Sequence, residues 1–153
     1  ELDPAGGTRT VREPLTPMRE PVRLALSRYA LSDAVQRTDI KTSRRDFYDG
    51  ERARLSALCG ADEVLFLGAD DRLREGSFTT LFVQNGGRLL TPRASEVGAP
   101  GLLPGVLRAD LLARGLAVEA DITLPVLLAA DAVFVGNSLR GLLRAELISP
   151  DRV

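Results

Sequence analysis

Apolar and polar residues alternate from Val22 onward, with Arg23, Ala25 and Ser27 separating Val22, Leu24 and Leu26. A spacing of two puts one set of side chains on one face, so this segment predicts a half-buried β-strand. The period then lengthens. Over 44–59, Phe47, Tyr48, Leu55, Leu58 and Cys59 fall on one side of a helix and charges fall elsewhere. Thr42 and Ser43 are candidate N-caps and Gly60 a natural end, which places Lys41 just before the helix start. Three β-like runs follow, 63–67, 77–84 and 88–90, and Asn85-Gly86-Gly87 between the last two predicts a tight hairpin. A Gly/Pro-rich loop ending in Pro104 and Gly105 leads into a second helix with Val106, Leu107, Leu111 and Leu112 apolar and Gly115 at its end. Next come a strand over 118–122, a short helix over 124–130 opened by Thr123, and an apolar run over 132–135 that reads as a strand buried on both faces. A turn over 136–141 precedes a last apolar segment, 142–148. No repeat is present, and the order of elements predicts an α/β domain whose mixed sheet curls toward a barrel with helices outside.

Composition narrows the function classes. The 153 residues, 44% apolar and 27% charged with a net charge of -1, describe one soluble globular domain. Arginines sit beside acids, as in Arg12-Glu13, Arg19-Glu20 and Arg74-Glu75, so no basic stripe for nucleic acid can be drawn. The most apolar run, 124–135, is interrupted by Asp131 and is too short for a membrane span, and no signal segment opens the chain. A cytoplasmic location with no membrane partner is the expectation. The single Cys59 has no disulfide partner, and the lack of His removes Cys-His catalysis and the usual zinc cluster, so no metal is expected. Lys41, the carboxylates, Tyr29 and Tyr48 remain as proton carriers.

Lys41 stands out because it is the only lysine among 20 basic residues. A guanidinium cannot condense with a carbonyl, whereas a lysine amine can form a Schiff base. Glu75 opens the run Glu75-Gly76-Ser77-Phe78-Thr79-Thr80, where alternation would turn Glu75, Ser77 and Thr79 one way and Phe78, Thr80 and Phe82 the other. A carboxylate there could hold a protonated heterocyclic nitrogen. The loop-to-helix junction at 103–108 offers free amides and a helix dipole to a phosphate, and Gly136-Asn137-Ser138 could complete the cradle. Taken alone, each feature fits a plain alternative better: a surface lysine, an exposed glutamate beside Arg74, and two structural turns.

The blocks Ala61-Asp62-Glu63-Val64-Leu65, Glu75 through Phe82, Thr91-Pro92, Gly101 through Arg108 and Ala130-Asp131-Ala132-Val133-Phe134 occur in one collinear order. In that order residues 41–148 resemble the larger, C-terminal domain of class IV, fold-type IV pyridoxal-phosphate enzymes. These are branched-chain aminotransferases, D-amino-acid aminotransferases and aminodeoxychorismate lyases. The resemblance implies the D-amino-acid aminotransferase-like fold and pyridoxal 5'-phosphate as cofactor. It implies that Lys41 carries that cofactor as a Schiff base and shuttles the proton, and that Glu75 pairs with the pyridine nitrogen. The amides of Val106 and Leu107, with Ser138, would hold the phosphate.

The ending Asn137-Ser138-Leu139-Arg140-Gly141-Leu142 is more similar to the lyases than to the Gly-Thr-Ala ending of branched-chain aminotransferases. The implied reaction is conversion of 4-amino-4-deoxychorismate to p-aminobenzoate and pyruvate. A class IV aminotransferase acting on branched-chain or D-amino acids is the alternative, and a catalytically inactive domain serving as an interaction module is a third reading. The chain departs from the family pattern at Ile40, where many lyases have His, and at Thr80, where Asn is usual. Relatives carry a smaller domain ahead of this one, so 1–32 is read as a lead-in and remnant of it and 33–153 as the cofactor-binding domain. The family implies a homodimer acting on a small amino substrate.

Overall fold

The computed structural model describes residues 17–31, 45–94 and 105–152. Lys41, Thr42, Ser43 and Pro104 lie outside the described residues.

Eight strands form one sheet: β1 (Val22–Leu31), β2 (Glu63–Gly68), β3 (Leu73–Gly76), β4 (Thr80–Asn85), β5 (Arg88–Pro92), β6 (Val118–Ala120), β7 (Ala132–Asn137) and β8 (Gly141–Arg152). Their order is β3-β2-β1-β8-β7-β4-β5-β6. The pairs β1/β2, β1/β8 and β5/β6 are parallel and the other four antiparallel, so the sheet is mixed as expected. It curls until its edges approach each other. Arg72, just before β3, bridges Thr123, just past β6, and the Leu73 N–H donates to the Ile122 carbonyl at 2.7 Å.

Three helices accompany the sheet: α1 (Asp46–Cys59), α2 (Val106–Ala113) and α3 (Leu124–Leu128). Alternation sorts the side chains between two faces. Leu24, Leu26, Leu65, Leu67, Leu81, Val83 and Val135 pack together with Leu127 of α3 on one face. On the other, Ala25, Val64 and Phe66 meet Tyr48 and Leu55 of α1, while Phe82 and Phe134 meet Leu107 and Leu111 of α2. Strand β1 is therefore buried on both faces rather than half-buried, because α1 covers its second set. Even Ser27 is buried, donating to the Glu51 carboxylate of α1 at 2.6 Å. The pattern of β7 misleads in the opposite direction, since Ala132, Val133 and Phe134 are only partly buried.

Two further differences from the sequence reading matter for the site. The run at 77–84 becomes a strand only from Thr80, because 77–79 form a bend, and the short β3 ahead of it was not expected. Between Leu65 and Leu67, two positions along β2 match three along β3, from Gly76 to Leu73. That extra residue is a bulge, and it re-aims Glu75 to the helix-covered face. At the hairpin, Gly86 (φ 56°) and Gly87 (φ 77°) both take the left-handed backbone that the turn between β4 and β5 requires.

On α1, Leu58 is 59% exposed despite its apolar character, whereas Leu65 of β2 is fully buried. Leu65→Ala should cost about 2–5 kcal/mol of unfolding free energy in denaturant titration. Leu58→Ala should stay within about 0.5 kcal/mol of the parent.

Candidate functional site

The starts of α1 and α2 converge over the bend between β3 and β4, and the turn between β7 and β8 closes the same space. The result is a cavity of about 610 Å³, within the usual range of small-molecule sites. Glu75, Val106, Leu107 and Ser138, which belong to three separate stretches of sequence, all line it. Lys41 lies outside the described residues.

Glu75 lines the cavity. The Tyr48 hydroxyl donates to its Oε1 at 2.8 Å. Burial, then the charge and hydrogen bond of Glu75, push the Tyr48 phenol well above its ordinary value, although Arg45 pulls it the other way. Tyr48 is thus a protonated donor fixed on the carboxylate, not a base. The Arg45 guanidinium lies 5.5 Å from the Tyr48 ring centroid and donates to the Ser77 carbonyl.

The start of α2 lines the same cavity. The first intrahelical bond of α2 runs from Ala109 N–H to Gly105 O at 3.0 Å, so the amides of Val106 and Leu107 have no acceptor within the helix. They carry the positive end of the helix dipole. Val106 is 72% exposed, so its apolar side chain does not seat the helix as the sequence pattern suggested. Arg108 does so instead: it is buried and donates to the Pro92 carbonyl at 3.1 Å and to the Glu119 carboxylate. Burial would raise the Glu119 carboxyl, but the Ala94 N–H and Arg108 outweigh it and hold that group below the usual range.

Asn137 ties the bend at Phe78 to the turn after β7. Its Oδ1 accepts from the Leu139 and Arg140 N–H groups, each at 3.0 Å, which shapes the turn carrying Ser138. Its Nδ2 donates to the Phe78 carbonyl at 3.3 Å. Arg140 lies 5.5 Å from the Phe78 ring centroid, and its Nε is buried without a partner among the described residues.

The hydroxyls of Ser77 and Thr79 do not follow the simple alternation with Glu75. They donate to Glu63, which reaches them from the opposite face of the sheet. Sequence reasoning named Glu75, Val106, Leu107 and Ser138 but gave no role to Arg45, Arg140 or Glu63. No periodic signal distinguishes a cavity-lining arginine from the many solvated ones. An acid starting an otherwise apolar strand, Glu63 before Val64-Leu65-Phe66-Leu67, is the one sign that was there to be found.

The donor set fits pyridoxal phosphate. The cavity lining offers a carboxylate, the acceptor type a protonated ring nitrogen needs, and helix-start amides and a hydroxyl, the donor types a phosphate needs. Comparison with known proteins agrees. The model of the amino-transferase class IV family matches residues 8–148. A "Putative amino-acid aminotransferase" from Mesorhizobium loti is 40% identical, with a TM-score of 0.77, over 96% of this chain and 70% of its own. A "Putative 4-amino-4-deoxychorismate lyase" from Legionella pneumophila is 27% identical, with a TM-score of 0.77, over 91% and 52%. The branched-chain aminotransferase of Thermobaculum terrenum, solved in its PLP-form, shares the fold at 20% identity and a TM-score of 0.66, over 80% and 41%. The chain therefore spans 70% of the Mesorhizobium protein and about half or less of the other two. No curated protein matches it.

A Tyr29→Phe variant leaves Tyr48 as the sole tyrosine, and its phenolate absorbance should then develop only well above pH ~10, the ordinary value. Adding Glu75→Gln should bring that ionisation down, because it removes the charge that opposes it. An unchanged titration would show that the two groups do not interact.

Proposed function

We propose, from the premise that the chain belongs to the class IV aminotransferase family, that the cavity binds pyridoxal phosphate for chemistry on a small amino substrate. The observation carrying this reading is that one cavity joins Glu75, the first amides of α2 and Ser138. When bound, the cofactor supplies an electron-accepting ring for the pair released at the substrate carbon bearing nitrogen. Glu75 would accept a hydrogen bond from the ring nitrogen and keep its proton there, and Tyr48 holds that carboxylate in place. The amides of Val106 and Leu107, with the Ser138 hydroxyl, would hold the phosphate. Lys41 would attach the cofactor through its amine and move the substrate proton.

For the reaction itself, we propose a lyase that converts 4-amino-4-deoxychorismate to p-aminobenzoate and pyruvate. The Asn137-Ser138-Leu139-Arg140-Gly141 turn supports it, together with the likeness to the Legionella protein. Arg45 and Arg140 at the cavity would meet the substrate's carboxylates. Amino-group transfer from a branched-chain or D-amino acid to a keto acid is the second reading, favoured by the 40% identity with the Mesorhizobium protein. In either case residues 33–153 would be the cofactor domain of a homodimeric enzyme. Among the described residues no helix is long and apolar enough to cross a membrane.

Titrating the full-length protein with pyridoxal phosphate should produce a visible absorbance band that Lys41→Ala abolishes. A band that survives the substitution refutes the lysine's role. Supplied with 4-amino-4-deoxychorismate, the loaded protein should release pyruvate and p-aminobenzoate in equal amounts. Amino transfer to a keto acid without pyruvate release would replace the lyase with the aminotransferase.

A further inference from the structure

Glu63 is fully buried at the start of β2, on the face of the sheet opposite the cavity. Its carboxylate accepts five hydrogen bonds. Oε1 takes the Val64 N–H at 2.8 Å, the Ser77 N–H at 2.9 Å and the Ser77 hydroxyl at 2.5 Å. Oε2 takes the Phe78 N–H at 3.3 Å and the Thr79 hydroxyl at 2.7 Å. Four of the five donors belong to the bend at 77–79, which lies between Glu75 and Thr80. A Cβ on Gly76 would sit 2.7 Å from Glu63 Oε2 and 2.5 Å from Thr79 Oγ1, so only glycine lets the chain lie directly on the carboxylate.

The bend is also bonded to the turn between β7 and β8. The Phe78 carbonyl accepts from Asn137 Nδ2, and Asn137 Oδ1 holds the Leu139 and Arg140 amides on either side of the Ser138 turn. One chain of hydrogen bonds thus runs from Glu63 through Phe78 and Asn137 to the turn at Ser138. Glu75 is two residues from Ser77 at the other end.

We infer that Glu63 is the positioning residue of this site: from beneath the sheet it sets the spacing between Glu75 and the Ser138 turn. It touches neither cofactor nor substrate. The inference rests on the cofactor reading for its binding arm and on the hydrogen bonds alone for its exchange arm. Glutamine at 63 keeps the volume but puts an NH2 donor where the carboxylate accepts, so the bend loses acceptors for groups that remain buried.

The test compares Glu63→Gln with Glu51→Gln in the full-length protein. Glu51 is a second buried carboxylate, bonded to Ser27 and Arg54 under α1 and outside the cavity. Both variants should lower the melting temperature. Only Glu63→Gln should raise the Kd for pyridoxal phosphate, by about tenfold or more, and only it should speed hydrogen exchange at the Ser77, Phe78, Leu139 and Arg140 amides of the cofactor-free protein. Thr79→Val, which removes one donor and keeps the shape, should shift the same readouts in the same direction by less. It carries the test if Glu63→Gln does not fold. Equal Kd values for parent and variant, or faster exchange confined to Ser77 and Phe78, would overturn the inference by making Glu63 a purely structural anchor. A parent protein that binds no pyridoxal phosphate would instead sink the cofactor reading, and the exchange data would still decide the role of Glu63.

Discussion

Where β3 gives way to β4, the chain bends at 77–79; the Ser77 N–H keeps the Val64 carbonyl of β2 at 3.1 Å as one acceptor, and Glu63 gives it a second and the Phe78 N–H its own. Buried N–H groups need acceptors, and much of the structure around the cavity follows from how this need is met. Glu63 supplies both carboxylate oxygens from below. The same bend offers its carbonyls to Arg45 and Asn137 from above. A peptide segment with irregular backbone is thereby fixed as firmly as a strand, and it forms the middle of the cavity wall.

The rest of the site is arranged around that segment by the sheet. The bulge in β3 turns Glu75 onto the helix-covered face, where Tyr48 of α1 meets it. The outer residues of β4 and β7, Phe82 and Phe134, receive α2, and Arg108 anchors the helix at Pro92 and Glu119 so that its first amides open into the same space. An acceptor and donors lining one cavity are consequences of this packing.

Much of this was legible in the sequence, for identifiable reasons. The Asn85-Gly86-Gly87 hairpin and the helix ended by Gly60 depend on local rules, and the structure has both. Glu75, Val106, Leu107 and Ser138 were found through collinear motifs, and the structure brings all four to one cavity. What was missed depends on contacts distant in sequence. Leu58 looks like a core residue until one sees that α1 rests on β1 and β2 through Tyr48 and Leu55 instead. The bulge that separates Glu75 from Ser77 cannot be read from a run that alternates on paper. Arg108, a buried arginine, looks like an ordinary surface charge until its partners Pro92 and Glu119 are known.

The central claim is that one cavity holds both ends of pyridoxal phosphate. A crystal structure of the full-length protein grown with that cofactor tests it most directly. The account predicts the ring nitrogen within hydrogen-bonding distance of Glu75, the phosphate against the Val106 and Leu107 amides and the Ser138 hydroxyl, and continuous density from the cofactor to Lys41. Cofactor density joined to another residue, or a phosphate seated away from the start of α2, would contradict it.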